Sequence, residues 1–174
     1  MQGTPLFNKL NLKAEMQIML VNVPAYFSPD TEFVKELATL GNRVHFVPNT
    51  SRPEGLTTRD PDTGAMSAQW EFILFFATTA SEVAHLAQIV AEQSHFDYLV
   101  WCAYPKKSSK RYQSQLSRDG DWQQLGALGL EAVRQVAIDD DWSALRFRRV
   151  EYITSLQRDP KRLMSVQGKK RATK

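Results

Sequence analysis

FDYLVWCAYPKKSSKRYQSQLSRD, residues 96–119, is the stretch on which the fold turns. Residues 97–103 are apolar almost without a break, the pattern of a strand covered on both faces. The run stops at Tyr104-Pro105, where proline fixes φ and removes a backbone donor. It then opens into Lys106, Lys107, Ser108, Ser109, Lys110 and Arg111. In open parallel sheets ligands sit beyond the carboxyl ends of the strands. A buried strand that empties into a basic, hydroxyl-bearing turn is therefore both a fold element and a candidate site.

Working outward, residues 17–23 (QIMLVNV) form a second uninterrupted apolar run, and it also ends at a proline, Pro24. Ser28-Pro29-Asp30 signals a helix start, with Thr31 and Glu32 in its first turn and Gly41 as its stop. Phe33, Val34, Leu37 and Leu40 give that helix its inner face. Residues 43–47 make a short strand closed by Pro48. Residues 49–68 are rich in Pro, Gly, Thr and Asp without apolar periodicity, which predicts a long loop. Residues 70–77 (WEFILFFA) are a third buried strand. Thr79 or Ser81 caps a following helix, whose inner face is Val83, Leu86, Ala87 and Val90 and whose first turn holds Glu82. Upstream of all this, residues 1–15 read as a leader with one helical turn that docks Leu6, Leu10 and Leu12.

Downstream, Trp122, Leu125 and Leu128 fall at helical spacing before Gly129. Two strands follow, residues 131–138 and 142–150, joined only by Asp139-Asp140-Asp141. So short a link joins antiparallel strands, because a parallel crossover needs a dozen residues or more. Their mixed alternation places this hairpin at the margin of a sheet. The whole order predicts an α/β fold: a mostly parallel, Rossmann-like sheet flanked by helices, with a C-terminal antiparallel β-hairpin. That silhouette resembles a class I methyltransferase-like Rossmann fold, and a smaller three-layer sandwich shares it.

The chain has 174 residues, which suits one α/β domain over residues 1–158. Its formal charge is +3, and Lys161, Arg162, Lys169, Lys170, Arg171 and Lys174 follow Pro160 with no acid among them. Residues 159–174 thus read as a basic tail without fixed structure. Such a tail would make weak, salt-sensitive contact with nucleic acid. No apolar run reaches the ~20 residues of a membrane helix, and no signal-peptide pattern opens the chain, so a cytoplasmic protein without a membrane partner is the expectation. Cys102 is the single cysteine, set in an apolar strand where it acts as a small hydrophobe.

Two sets of residues carry chemistry. If the Pro24 and Pro105 exits are neighbours, Asn22, Tyr104, Lys106, Lys107, Ser108 and Ser109 line one crevice, with charge and hydroxyls suited to a phosphate or carboxylate. The competing reading is a solvated loop whose serines cap the next turn. The second set is Arg134, Trp142, Arg146 and Arg148 on the polar face of the hairpin. It suits an acidic partner or nucleic-acid backbone, or simply guards a sheet edge. Arg134 and Arg146 are placed to pair across the hairpin, with Trp142 between guanidinium planes.

Catalytic signatures are thin. Val23-Pro24-Ala25-Tyr26 offers no glycine after the first strand, where a methyl donor's nucleoside needs close backbone approach. Pro48-Asn49 stands where an acid would hold ribose hydroxyls. Ala103-Tyr104-Pro105-Lys106 is not an Asn-Pro-Pro-aromatic turn. A dinucleotide fingerprint, a P-loop and a nucleophile elbow are missing. His45, His85 and His95 lack metal-ligand spacing, and an Asp139–Asp141 turn is ordinary turn chemistry. The expectation is a binding or regulatory domain for an anionic small molecule or partner segment, with no cofactor and no metal. The alternative is a divergent, methyltransferase-like transferase on a nucleoside or phosphorylated substrate.

Residues 6–27, 97–109 and 118–150 resemble a bacterial family of small conserved proteins known as a domain of unknown function. Tyr-Pro-Lys-Lys-Ser-Ser at 104–109 and the runs VRQVAID (133–139) and WSALRFR (142–148) are its distinctive parts. The resemblance covers most of residues 4–153. It implies a bacterial cytoplasmic single domain and carries no activity with it. The middle segment 49–68 and the basic tail depart from the family pattern.

Overall fold

The structure, a computed structural model, describes residues 5–27, 31–48, 58–59, 66–67, 70–93, 97–120, 122–157 and 159–172. In chain order its elements are α1 (Pro5–Leu10), β1 (Gln17–Val21), α2 (Glu32–Thr39), β2 (Arg43–Val47), β3 (Thr58–Arg59), β4 (Met66–Ser67), β5 (Phe72–Phe76), α3 (Ala80–Glu92), β6 (Leu99–Pro105), α4 (Gln123–Gly126), β7 (Leu130–Ala137), β8 (Trp142–Arg149) and α5 (Val166–Ala172). Six strands form one sheet in the hydrogen-bonded order β2-β1-β5-β6-β8-β7. This is the α/β, mostly parallel architecture that the strand pattern predicts. By its packing the chain divides into two compact units, residues 1–76 with 92–99, and residues 77–91 with 100–174.

In the first unit, β1 is buried from Ile18 onward and has a parallel neighbour on each side. It pairs with β2 from Gln17↔Arg43 to Val21↔Val47, and with β5 from Ile18↔Phe72 to Val21↔Phe75. All five residues of β5 are buried, which is why neither strand shows polar alternation. Thr31 stands in extended conformation before α2, which buries Val34 and Leu37. Gly41 turns the chain into β2 at φ +75, a conformation glycine adopts without Cβ strain. The leader helix docks through Phe7 and Leu10 rather than through Leu6 and Leu12. Phe7 meets Phe33 edge-on at 5.0 Å, and fully burying a ring of this size is worth about 1.5–3 kcal/mol. Within residues 49–68, β3 and β4 form a two-residue antiparallel ladder; the remainder of that loop lies outside the described residues, as do His95 and the Ser28–Asp30 helix signal.

In the second unit, α3 opens with a capping box. Thr79 Oγ1 accepts from the Glu82 amide at 3.3 Å, and Glu82 Oε2 accepts in return from the amides of Thr78 and Thr79. All seven residues of β6 are buried. β6 pairs antiparallel with β8 from Val100↔Phe147 to Pro105↔Trp142, and β8 pairs antiparallel with β7 from Leu130↔Arg149 to Ala137↔Ser143. The last strand therefore lies between two earlier ones. The hairpin thus forms one margin of the sheet, as its alternation predicts, with β7 outermost and β8 against β6. Six of the eight residues of β8 are buried: the apolar Trp142, Ala144, Leu145 and Phe147, together with Ser143 and Arg149. Trp122 anchors this half, 5.3 Å from the ring of Phe147 and 5.8 Å from that of Tyr104.

The expectation of an unstructured tail is also corrected. A 3-10 turn spans Pro160–Arg162, Leu163 to Ser165 are buried, and α5 follows. The anchor is Glu131, 1% exposed at the start of β7. Its Oε1 accepts from the Met164 amide at 2.9 Å, the Ser165 amide at 2.7 Å and Ser165 Oγ at 2.7 Å. Ser165 Oγ in turn accepts from the Gly168 amide and so caps α5. Arg171 donates to the carbonyls of Val150 and Thr154. Basic composition alone did not leave this segment loose, because a buried carboxylate elsewhere collects its amides. Among the described residues no helix is long and apolar enough to cross a membrane.

Candidate functional site

In a parallel sheet the ligand position is where strand order reverses, and in the first unit that point lies between β1 and β5. Asn22 leaves β1 there in the left-handed conformation, φ +54. Its amide bonds to the Val47 carbonyl at the end of β2, and its Nδ2 donates to the Phe76 carbonyl at the end of β5. Asn22 thus ties three strand ends together. Beyond it, a 3-10 turn over Ala25–Phe27 buries the Phe27 ring 4.7 Å from Phe33 and 5.3 Å from Phe76. Phe27 thus packs between α2 and the end of β5, a contact with no sequence signal because Phe27 stands outside any periodic run.

In the second unit the exit of β6 holds the other members of the expected crevice. Tyr104, Lys106 and Lys107 line one hollow of about 370 Å³ together with Arg118, Gln135 and Ser143. Tyr104 is buried, and its hydroxyl accepts from Gln135 Nε2 at 2.7 Å. Burial pushes the Tyr104 phenol above its ordinary value, the buried Cys102 thiol adds to this, and the Arg118 guanidinium pulls the other way. Asp119 also lines the hollow, so its charge is positive but not uniformly so.

The serines go elsewhere. Ser109 Oγ donates to Asp141 Oδ1 at 2.8 Å and accepts from the amides of Arg111 and Tyr112. Arg111 Nε approaches Asp141 Oδ2 at 3.8 Å. Lys106 donates through its amide to the Asp141 carbonyl and through Nζ to that of Asp139. The acidic turn in turn folds on itself, Asp139 Oδ1 accepting from the amides of Asp141 and Trp142. Asp139–Asp141 and the basic loop therefore clasp one another across the β6–β8 register. Ser108 is exposed and does not line the hollow. Of the expected set, the fold brings Tyr104, Lys106 and Lys107 together. Arg118, Gln135 and Ser143 are added, and no local sequence signal marked them.

Of the second set, Arg134, Arg146 and Arg148 line another hollow of about 460 Å³, with Arg118. Arg134 and Arg146 are register partners, as expected. Trp142 does not join them: it is buried and its ring lies 5.0 Å from Tyr112. The reason is position, since Trp142 opens β8 four residues from Arg146 and packs beneath the basic loop. Cys102 is fully buried, and burial followed by the Glu82 carboxylate pushes its thiol far above the ordinary range, so it serves packing. His45 lies edge-on to the Trp70 ring at 4.7 Å.

No family model and no curated protein matches the chain. Among solved structures it is similar to a SAM-dependent methyltransferase from Aquifex aeolicus, with 12% identity and a TM-score of 0.56 over 83% of this chain and 88% of that one. It also aligns with a fibrillarin/Nop5p complex (6% identity, TM-score 0.45, 79% and 74% covered). A third alignment is to a protein in the NADB-Rossmann superfamily from Streptococcus agalactiae (9%, 0.40, 86% and 69%). At such identity the first likeness shows the fold alone, a Rossmann-like sheet of the methyltransferase kind.

That fold raises the question of a methyl donor, and the residues at the exit of β1 do not fit one. Asn22-Val23-Pro24-Ala25 gives no glycine for backbone approach to a nucleoside, and the Phe27 ring is packed against the end of β5. β2 runs out at Val47-Pro48 without an acid for ribose hydroxyls.

Proposed function

We propose that this chain is a bacterial cytoplasmic binding domain, non-catalytic, that holds a small anionic ligand in the hollow at the exit of β6. One observation carries the reading: Tyr104, Lys106, Lys107, Arg118 and Gln135 converge on a single hollow at the carboxyl end of a buried strand. Lysine and arginine supply the charge, and the Tyr104–Gln135 pair supplies oriented polar atoms. Lys106 is held by the Asp139–Asp141 turn, so it is pre-positioned, and Lys107 is exposed at the rim. The bacterial and cytoplasmic parts rest on the sequence resemblance. Calorimetric titration with a panel of sugar phosphates and dicarboxylates tests the proposal. Binding should weaken about tenfold in Lys107→Gln, the worth of one charge-assisted hydrogen bond. Equal affinity in Lys107→Gln and Tyr104→Phe would remove the hollow as the site.

A second reading, a divergent transferase, is favoured by the fold likeness alone and opposed by the packed exit of β1. Calorimetry with S-adenosylmethionine separates the two: the binding-domain reading expects no heat. Micromolar binding that is lost in Asn22→Ala would reverse the preference.

A further inference from the structure

The hollow at the exit of β6 carries both signs of charge, which narrows what it can hold. The side chains of Lys107 and Arg118 line it and make no hydrogen bond or ion pair among the described residues. Lys106, by contrast, directs its Nζ to the Asp139 carbonyl. Asp119 brings a carboxylate to the same lining. Its Oδ1 stands 3.6 Å from Arg162, with both side chains more than half exposed. An ion pair so open to water is weak, and a carboxylate has two oxygens to offer, so Asp119 keeps capacity to accept. Besides burial and the Cys102 thiol, Arg118 and Asp119 both act on the Tyr104 phenol, in opposite directions. The two charges therefore lie within electrostatic reach of one hydroxyl.

The neutral groups are divided in the same way. Tyr104 is 4% exposed, and its hydroxyl accepts from Gln135 Nε2 at 2.7 Å. The hydroxyl proton meets no acceptor among the described residues, so the phenol has one donor to offer. A buried donor left unmade costs free energy. Gln135 mirrors it: with Nε2 committed to Tyr104, Oε1 is an open acceptor. The hollow thus presents three donors, the Lys107 ammonium, the Arg118 guanidinium and the Tyr104 hydroxyl. Against them it sets two acceptors, the Asp119 carboxylate and the Gln135 amide oxygen. A phosphate or a plain dicarboxylate would satisfy the donors but meet Asp119 as a like charge. A molecule with two carboxylates and one ammonium matches both sets. The volume of about 370 Å³ sits at the small end of ligand sites, which run from about 300 to 1,000 Å³.

We infer, resting on the anion-site reading above, that this hollow takes a free acidic amino acid such as glutamate. Lys107 and Arg118 receive its two carboxylates, and Tyr104 donates to one of them. Asp119 and Gln135 Oε1 receive its ammonium. Isothermal titration of the full chain at fixed salt tests this with four probes: glutamate, glutarate (the same chain without the amine), 2-hydroxyglutarate and a sugar phosphate. Glutamate should bind at least tenfold more tightly than glutarate or 2-hydroxyglutarate. Lys107→Gln should weaken glutamate and glutarate alike, whereas Asp119→Asn should abolish only the advantage of glutamate. Arg162→Gln, which releases Asp119 from its exposed pair, should keep that advantage. Loss of it in Arg162→Gln would make the role of Asp119 merely structural and overturns the inference. Glutarate binding as tightly as glutamate, or a sugar phosphate binding more tightly than both, also overturns it; if Lys107→Gln weakens that binding, the anion-site reading stands. Absence of heat from all four probes at millimolar concentration overturns both.

Discussion

Substituting Glu131→Ala is the sharpest test of how the C-terminal segment is held. Three donors converge on Glu131 Oε1: the amides of Met164 and Ser165 and the hydroxyl of Ser165. Alanine would leave all three buried without an acceptor, at about 1–3 kcal/mol each. Taking the low end for every donor, since water can enter beside the truncated side chain, gives about 3 kcal/mol. At about 1.4 kcal/mol per factor of ten, local opening of residues 163–172 becomes ~100-fold more frequent. Native-state hydrogen exchange read by mass spectrometry should show lost protection at Ser165 and Gly168, while β1 and β5 keep theirs, because opening is local. Glu131→Gln keeps one carbonyl acceptor and should lose far less. Unchanged protection at Ser165 in Glu131→Ala would refute the claim that this carboxylate anchors the segment.

Other outcomes follow from the same structure. Gly168→Ala would put a Cβ 2.6 Å from Glu131 Oε1 and 2.8 Å from Ser165 Oγ, so it should release the same segment in the exchange experiment. Gly126→Ala sets a Cβ 2.7 Å from that of Met164 and should cost about 1–3 kcal/mol of overpacking in a denaturant melt. Glu82→Ala removes the acceptor for Thr78 and Thr79 at the start of α3; a loss of ~1 kcal/mol should lower the melting temperature by about 2–4 °C. Tyr104 has a folded-state pKa raised above the ordinary 10.0. Its contribution to stability is therefore full below that value and falls as pH rises through the folded pKa. A melt series above pH 10 should show that fall in the parent and a smaller one in Tyr104→Phe.

The strands were legible because burial on both faces leaves a plain signature. β1, β5 and β6 all appear as unbroken apolar runs, and the three-aspartate link forces β7 and β8 antiparallel. The end of β6 was placed two residues early, since Tyr104 and Pro105 look like an exit until Ser143 and Trp142 are seen to pair with them. Insertion of β8 between β6 and β7 was not legible: local alternation shows that two strands are antiparallel, not which earlier strand the second one meets. The tail was misread for a related reason. Its basic composition is a local property, whereas the group that orders it, Glu131, stands 33 residues from Met164. At the candidate site, Tyr104, Lys106 and Lys107 were visible as a basic turn after a buried strand. Gln135, Arg118 and the diversion of Ser109 to Asp141 depend on chain reversal and could not be.

Because β8 is threaded between β6 and β7, synthesis imposes an order on the second unit. Until residues 142–149 have been synthesised, neither β6 nor β7 has the neighbour that it pairs with in the finished sheet. Seven buried residues of β6 then present an unpaired, apolar flank, the kind of edge that recruits other chains. Docking β8 joins Val100 to Phe147 across 47 positions, a slow, non-local step. Nascent chains halted before Trp142 should accordingly need chaperone cover and aggregate without it, whereas chains released after Arg149 should not.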